Sequence, residues 1–119
     1  MIDYMKKAFS IAALRRASYR WPGRYNTLKN AKAARNAYFC AHCPEGVVHE
    51  RRQVQLDHVS PVVPVEGWDS FDGYIDRMFC DESGYQVLCE EHHKTKTKDE
   101  NAIRKSEAAK KKLDKDSEI

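Results

Sequence analysis

The stretch Cys89-Glu90-Glu91-His92-His93-Lys94-Thr95-Lys96-Thr97 decides the fold that this sequence predicts. A Cys-x-x-His pair stands directly before a second histidine, and a basic run with helical character follows. One histidine of the adjacent pair can close a zinc site while its neighbour does chemistry. Two upstream segments complement this stretch: Cys40-Ala41-His42-Cys43 and Leu56-Asp57-His58-Val59-Ser60-Pro61.

The two half-sites Cys40/Cys43 and Cys89/His92 predict structural Zn²⁺. A two-residue spacer lets both side chains of a turn converge on one ion, and two such turns complete a tetrahedron. Because 45 residues separate Cys43 from Cys89, the ion would clamp the two ends of an inserted unit. Cys80 is a spare thiol that could replace His92, although a buried free cysteine is the favoured interpretation. His42 is expected at the surface of the turn.

Length and composition favour one soluble, intracellular domain. The 119 residues are 41% apolar, and no run approaches the length of a membrane span. Residues 1–7 lack the apolar stretch of a signal peptide. In a reducing compartment, the four cysteines are better explained as thiols or metal ligands than as disulfides.

The charge is strongly segregated along the chain. Lys and Arg exceed acids in residues 1–40 (9 − 1 = +8), acids exceed them in 41–93 (3 − 11 = −8), and 94–119 is basic again (9 − 6 = +3). Basic flanks around an acidic centre suit a protein that binds a polyanion. Solvated helix faces are the plainer alternative, but the segregation favours nucleic acid.

Two basic helices are predicted before Cys40. Residues 3–19 carry apolar side chains at helical spacing (Met5, Phe9, Ala12, Ala13, Tyr19), and Trp21-Pro22-Gly23 ends the helix. A second helix is expected from Tyr25 to Asn36. Trp21 either stacks on a base or packs where the helices meet. The predicted phosphate-binding cations of this extension are Arg15, Arg16, Arg20, Arg24, Lys29, Lys32 and Arg35.

The remaining segments predict an α+β domain. Short strands flank Cys40–Cys43, and alternation over residues 53–58 indicates a half-buried strand. Residues 68–79 predict an amphipathic helix, and 85–88 a brief strand leading to Cys89. The chain should be helical from His92 and fray past Arg104, where only Leu113 is available to bury.

Asp57, His58 and His93 form the candidate catalytic group. A carboxylate and an imidazole can hold a hard divalent ion with open positions, and a second imidazole beside them can act as general base. Lys96 and Thr97 are placed to contact phosphate, and Glu100 to orient a ligand or base. A regular strand would point Asp57 and His58 to opposite faces, so the chain must bend there for both to serve.

Over residues 38–104 the sequence resembles the HNH, or ββα-metal, endonucleases, in particular the small zinc-stapled kind common in bacteriophage genomes. The resemblance is carried by the two segments above and by the run from Tyr85 to Thr97. It implies a ββα-metal core, Mg²⁺ or Mn²⁺ on Asp57 and His93, and His58 as general base. It also implies hydrolysis to 5′-phosphate and 3′-hydroxyl ends. Residues 1–37 would be a DNA-binding extension and 105–119 a charged tail.

Two positions depart from that family. His92 stands where the second half-site usually has cysteine, which zinc tolerates. The family's asparagine falls at Gly84, which has no side chain. Ser83 or Asp81 would take over its role in pinning the loop or binding the ion; otherwise the site would bind metal more weakly or activity would be lost.

The favoured prediction is a metal-dependent endonuclease that nicks or cuts duplex DNA in the cytoplasm of a bacterial host. The principal alternative is a zinc-stapled DNA-binding module with a degenerate site. A packaging accessory acting through a phage partner and an RNA-directed nuclease are further alternatives. A homodimer would favour double-strand cutting, and roles such as homing, packaging or restriction would share one active site.

Overall fold

The computed structural model describes residues 4–117, which form an α+β domain of four helices and two small antiparallel sheets. Helix α1 spans Tyr4–Ser18 and helix α2 spans Pro22–Ala31. The predicted break is confirmed, since Pro22 begins α2 at a position where its missing N–H costs nothing. Asp3, the predicted first residue of α1, lies outside the described residues.

The predicted extension of the second helix to Asn36 is wrong. The chain becomes extended at Lys32, and β1 (Lys32–Ala34) pairs with β2 (Ala37–Phe39) through a turn at Asn36, whose φ is +53°. β2 pairs in turn with β3 (Val48–His49), so Cys40 and Cys43 lie in the loop of a hairpin. Lys32 and Arg35 therefore leave the helical surface on which they were predicted.

The second sheet positions the candidate site. A 3₁₀ turn (Arg51–Gln53) leads into β4 (Val54–His58), and a second 3₁₀ turn (Glu82–Gly84) leads into β5 (Tyr85–Cys89). The two strands are antiparallel, with Asp57 opposite Gln86 and His58 opposite Tyr85. Four residues of β5 are buried and Leu88 is wholly inaccessible, so this strand is the centre of the small core.

Helix α3 spans Phe71–Met78, shorter at its start than the predicted 68–79. The start is fixed by Ser70, whose hydroxyl accepts a hydrogen bond from the backbone N–H of Gly73. Trp68 lies before the helix, where its ring packs on those of Phe71 and Tyr74 at centroid distances of 5.0 and 5.4 Å. The apolar stripe predicted the helix, while the cap determined its boundary.

Helix α4 spans Glu90–Ser117, so the segment beyond Arg104, predicted to fray, is helical through Ser117. The loop between β4 and α3 lies along this helix: Arg104 donates to the Val63 carbonyl at 3.1 Å, and Lys111 donates to the Glu66 carbonyl. These contacts supply packing that the composition did not suggest. Residues 118–119 of the predicted tail lie outside the described range, and the division at residues 37 and 104 stays a prediction.

Helix α1 turns a different face inward from the one predicted. Met5, Phe9 and Tyr19 are 78%, 75% and 66% exposed, while Ser18 is buried. Lys7 instead lies over the Trp68 ring, 4.1 Å from its centroid, and ties α1 to the segment before α3. None of the helices in the described part of the chain combines the length and apolar character needed to cross a membrane.

Trp21 packs within the fold, which supports the second of its two predicted roles. Its Nε1 donates to the Cys80 carbonyl at 2.6 Å, and its ring meets Phe79 edge-on with centroids 5.5 Å apart. Gly23 is required beside it, since a Cβ there would lie 2.6 Å from the Cys80 carbonyl oxygen. This contact fixes α2 against the turn that precedes β5.

Candidate functional site

Cys40, Cys43, Cys89 and His92 converge on one point, as their spacing predicted. One ligand atom from each of the four lies within 4.8 Å of the others. Cys40 and Cys43 come from the hairpin loop, Cys89 ends β5, and His92 lies in the first turn of α4. The cluster therefore connects both sheets and the long helix, and it forms a site that could hold a metal.

The separations within the cluster fit a tetrahedral zinc ion. Zn–S and Zn–N bonds of about 2.3 and 2.1 Å give tetrahedron edges of about 3.8 Å between sulfurs and about 3.5 Å between sulfur and nitrogen. Cys43 Sγ lies 3.8 Å from Cys89 Sγ. His92 Nδ1 lies 3.4, 3.5 and 3.3 Å from the sulfurs of Cys40, Cys43 and Cys89 respectively. The donor set and its size both suit Zn²⁺.

Charge within the cluster also favours a cation. Burial raises the pKa of the Cys40 thiol, but hydrogen bonds from the Cys89 and His42 backbone and from His92 outweigh it and bring the pKa to about 6. Burial and the neighbouring sulfurs raise the pKa of Cys43 to about 12. Without an ion only part of the set can ionise, whereas a divalent ion would stabilise all three thiolates.

His49 is a contact of the cluster that the sequence analysis missed. Its Nε2 lies 3.4 Å from Cys43 Sγ, so the imidazole can donate a hydrogen bond to a thiolate. His42 is exposed as expected. Cys80 lies outside the cluster and is half-buried. The return strand of the hairpin brings His49 back to Cys43, a relation that six residues of sequence separation did not reveal.

Asp57 on β4 faces His93 and Lys96 on α4. Asp57 Oδ1 lies 3.9 Å from His93 Nε2, and Asp57 Oδ2 lies 3.0 Å from Lys96 Nζ. Two ligands of one divalent ion, each about 2.1 Å from it, lie about 3 to 4 Å apart, depending on the angle between them. The Asp57–His93 separation falls in that range. Gln86, opposite Asp57 in the sheet, donates from Nε2 to Oδ2 at 3.2 Å and was missed from sequence.

Glu100 contacts this group through Lys96, and its role in orienting a ligand or base stays a prediction. Lys96 Nζ contacts Glu100 Oε1 at 2.8 Å, and the side chains of Asp57, Lys96 and Glu100 are each less than one-fifth exposed. Burial lowers the pKa of Lys96, but its bonds to Glu100 and Asp57 outweigh this and raise it above the ordinary value. Thr97 lines an open groove along α4 together with His93.

His58 is held in one tautomer by its surroundings. Its Nε2 lies 3.2 Å from the Met78 carbonyl oxygen, which can only accept, so a neutral imidazole carries its proton on Nε2 and its lone pair on Nδ1. Tyr85 packs on the ring at 4.7 Å and donates its hydroxyl to the same carbonyl at 2.7 Å. Burial lowers the pKa of His58, the bond to Met78 raises it, and the positive charge of Arg24 lowers it further. The net shift is downward, which favours the neutral base.

Asp57 and His58 line the same cavity although they are adjacent in a strand. The cavity has a volume of about 250 Å³ and is also bordered by Arg15, Lys96 and Arg104. β4 ends at His58, and the next residue, Val59, donates its N–H to the Gly84 carbonyl at 2.9 Å. The antiparallel pairing thus continues through Val59, and both side chains nevertheless border one space.

Gly84 has no room for a side chain. A Cβ at this position would lie 2.4 Å from Cys80 Sγ and 2.8 Å from Cys80 Cβ. The loop after His58 is held by the Gly84 carbonyl, so a main-chain group does the pinning that was predicted for a side chain. Ser83 and Asp81 hydrogen-bond each other in the 3₁₀ turn, which differs from the role predicted for Ser83 beside the catalytic group.

The predicted phosphate-binding cations separate into two groups. Arg15 and Arg24 line a cavity together with His58. The others line no part of that cavity and are exposed, as Arg15 also is; they lie on α1, the turn before α2, α2, β1 and the turn after β1: Arg16, Arg20, Lys29, Lys32 and Arg35. Arg51 joins the first group and was missed, because only the fold brings the residue before β4 next to the two helices.

Comparisons with protein-family models, with curated proteins and with solved structures gave no match for this chain.

Proposed function

We propose that this chain is a metal-dependent endonuclease of the ββα-metal (HNH) type that hydrolyses phosphodiester bonds of duplex DNA. The observation that carries the proposal is the pairing of Asp57 with His93 next to a neutral histidine base. Asp57 Oδ1 and His93 Nε2 are 3.9 Å apart, and His58 shares the cavity that Asp57 lines. The resemblance over residues 38–104 favours the same conclusion from the sequence side.

The residues around the cavity have distinct roles in this reaction. His58 Nδ1 takes a proton from a water molecule, whose oxygen attacks phosphorus as the P–O3′ bond breaks. The bond from Nε2 to the Met78 carbonyl keeps the lone pair on Nδ1. A divalent ion such as Mg²⁺ or Mn²⁺ on Asp57 and His93 would supply stabilisation of charge on the leaving 3′ oxygen. Gln86 and Lys96 orient Asp57 by hydrogen bonds to Oδ2.

The Cys40–Cys43–Cys89–His92 cluster is proposed to hold structural Zn²⁺. Four protein ligands leave no open position for water or substrate, which is typical of structural sites. His92 and His93 are consecutive in α4, so the same helical turn serves the cluster with one residue and the Asp57 pair with the next. Zinc would thereby fix the position of His93 relative to β4.

Basic surfaces on both sides of this centre support DNA as the partner. Arg15 and Arg24 border His58 on one side. On the other side His93 opens onto a groove along α4, lined by Lys94, Lys98 and Lys105. Lysine and arginine on both flanks of the scissile position suit a continuous phosphate backbone.

A second candidate function, a DNA-binding module that does not cleave, is favoured by one observation. The ammonium of Lys96 already neutralises Asp57 and Glu100, at 3.0 and 2.8 Å, and competes with a divalent ion for the carboxylate. The glycine at position 84, where the family has asparagine, also favours a module that does not cleave. Under this alternative the protein would shift DNA on a gel without cutting it.

The deciding experiment incubates zinc-loaded protein with supercoiled plasmid, with and without added Mg²⁺ or Mn²⁺. A chelator would also strip zinc, so metal dependence should be tested by omitting the added ion. The wild type is expected to relax or linearise the plasmid and His58→Ala to be inert, while Glu45→Gln, a substitution of an exposed loop residue, retains activity. A bound but uncut plasmid with wild-type protein would instead establish the binding module.

A further inference from the structure

A second cavity borders His58. It has a volume of about 460 Å³ and lies between α1, α2 and the start of β4. Three guanidinium side chains line it: Arg15 from α1, Arg24 from α2 and Arg51 from the 3₁₀ turn. Arg15, His58 and Met78 border this cavity and the smaller one that Asp57 lines, so the two spaces meet at the proposed base.

The three arginines lack anionic partners within the described residues. None of them forms an ion pair with a carboxylate there, in contrast to their neighbour Arg52, whose Nε lies 2.7 Å from Glu50 Oε2. Three cations around one space repel each other, and a bound anion would relieve that repulsion. Arginine also suits phosphate in particular, since its planar fork matches two phosphate oxygens.

Each of the three side chains is held in place by an uncharged contact. Arg51 donates from Nη1 to the Val54 carbonyl at 3.2 Å. Arg24 lies over the Tyr19 ring, 5.1 Å from its centroid. Arg15 lies near Tyr74, where its charge lowers the pKa of the hydroxyl against the larger rise caused by burial. These contacts position the guanidinium groups without neutralising them, as a preformed anion site requires.

Hydrogen bonds fix the conformation of the turn that carries Arg51. Glu50 and Gln53 form a reciprocal capping box, in which the Glu50 N–H donates to Gln53 Oε1 at 2.9 Å. The backbone N–H of Arg51 donates to Asn36 Oδ1 at 3.0 Å, which joins this turn to the hairpin. The turn thus places Arg51 beside the helices and leaves Arg52 on the outside, 83% exposed.

We infer that Arg51 joins Arg15 and Arg24 in one anion subsite, which binds the phosphate adjacent to the scissile phosphodiester. The inference rests on the proposed function and adds to it a third guanidinium group and a defined place for the neighbouring phosphate. A phosphodiester with a single phosphate reaches the Asp57 cavity but leaves the arginine subsite empty. Only a chain with neighbouring phosphates occupies both.

The test compares two substrates with matched variants. Arg51→Gln and Arg24→Gln remove charge from the subsite, whereas Arg52→Gln removes the same charge from the adjacent exposed position. With a short DNA duplex, kcat/KM should fall about 10-fold for each subsite variant and stay unchanged for Arg52→Gln. At a pH above the acid limb of the rate profile, both subsite variants should lose several-fold less activity on bis(4-nitrophenyl) phosphate, which has no neighbouring phosphate, than on the duplex. Equal zinc content and thermal unfolding would show that the variants are folded.

A binding measurement separates failure of the subsite from failure of the nuclease proposal. Binding of a labelled duplex is measured by fluorescence anisotropy without added divalent ion. The slope of log K against log salt should be smaller in magnitude by about one for Arg51→Gln than for the wild type, and unchanged for Arg52→Gln. Identical binding by Arg51→Gln, Arg24→Gln and wild type would overturn the subsite. If the wild type hydrolyses neither substrate, the nuclease proposal fails, and the binding slopes still decide the subsite.

Discussion

Lys96 and Asp57 form a half-buried ion pair at the centre of the proposed active site. Nζ of Lys96 lies 3.0 Å from Oδ2 of Asp57, and each side chain is 17% exposed. Glu100 completes the group on the other side of the ammonium. One cation between two carboxylates stabilises the metal-free protein and at the same time weakens the attraction of Asp57 for a divalent ion.

Lys96→Gln is therefore expected to have two opposite effects. Removing the ammonium leaves Asp57 and Glu100 without their cation, so the free energy of unfolding without added divalent ion should fall by about 1 to 2 kcal/mol. Affinity for Mn²⁺, measured by electron paramagnetic resonance, should rise about 3- to 10-fold. Lys94→Gln is the control, since Lys94 pairs with Glu90 on the exposed surface. Weaker Mn²⁺ binding by the Lys96 variant would contradict the competition.

Substitution of a cluster cysteine should remove bound zinc and much of the stability. The cluster joins the hairpin loop, β5 and α4, and little buried apolar surface connects them otherwise. Cys40→Ser or Cys89→Ser should reduce zinc well below one ion per chain by elemental analysis and lower the unfolding temperature by about 10 °C or more. Cys80→Ser should retain one zinc per chain. Zinc loss in the Cys80 variant instead would place that thiol among the ligands.

His49 should strengthen metal retention without being a ligand. Its Nε2 lies 3.4 Å from Cys43 Sγ and can hydrogen-bond the thiolate. Loss of such a partner typically weakens metal binding about 10- to 100-fold. His49→Ala should release zinc correspondingly more readily to a competing chromophoric chelator, with one zinc still bound in its absence. Glu45→Gln, a substitution of an exposed residue in the same loop, should match wild type, and equal zinc affinity of all three proteins would remove His49 from this role.

The acid side of the pH–rate profile should report on His58. Burial and the charge of Arg24 lower the pKa of His58 below its ordinary value of 6.5, so His58 is neutral and active from below that pH upward. Arg24→Gln removes a cation and should shift the acid limb to higher pH, while Arg52→Gln should leave it in place. A shift to lower pH would show that the limb belongs to another group.

The same depressed pKa makes stability depend on pH in a defined direction. The unfolded chain binds a proton on His58 near pH 6.5, while the folded chain does so only at lower pH. Stability from this group is therefore fully present above 6.5 and is lost as the pH falls through the folded pKa. His58→Gln should lose this dependence, which urea denaturation at several pH values would detect.

Gly84→Ala should destabilise the protein by about 2 to 4 kcal/mol in urea denaturation, because the new Cβ would lie 2.4 Å from Cys80 Sγ. Adding Cys80→Gly removes both clashing atoms, so the double variant should be more stable than the sum of the single effects predicts. Strict additivity would show that the cost arises elsewhere. This contact also explains why an asparagine cannot occupy position 84 while Cys80 is present.

Residue spacing within short segments was enough to predict several structural features of this protein. The two half-sites with two-residue spacers predicted the cluster of Cys40, Cys43, Cys89 and His92, because ligands one turn apart converge whatever surrounds them. Helical spacing and breakers predicted the existence of α1, α2 and α3. Alternation predicted β4. These signals are local, so they hold without knowledge of the fold.

The faces, partners and ends of those elements were decided only by the tertiary structure. Met5 and Phe9 predicted the buried side of α1, yet the helix turns them outward and places Lys7 over Trp68. The end of α4 depends on a loop from 41 residues earlier in the chain, whose Val63 carbonyl accepts from Arg104. Contacts between distant segments leave no periodic signal, so composition alone predicted fraying there.

The same distinction between local sequence patterns and tertiary contacts applies to the candidate site. The sequence by itself identified Asp57, His58 and His93, because a dipeptide and a residue beside a metal half-site are visible as local patterns. Only the fold decided that Met78 fixes the tautomer of His58, that Lys96 neutralises Asp57, and that Arg51 joins Arg15 and Arg24 around one cavity. These relations depend on strand pairing and on backbone carbonyls, which every residue possesses and no sequence pattern distinguishes.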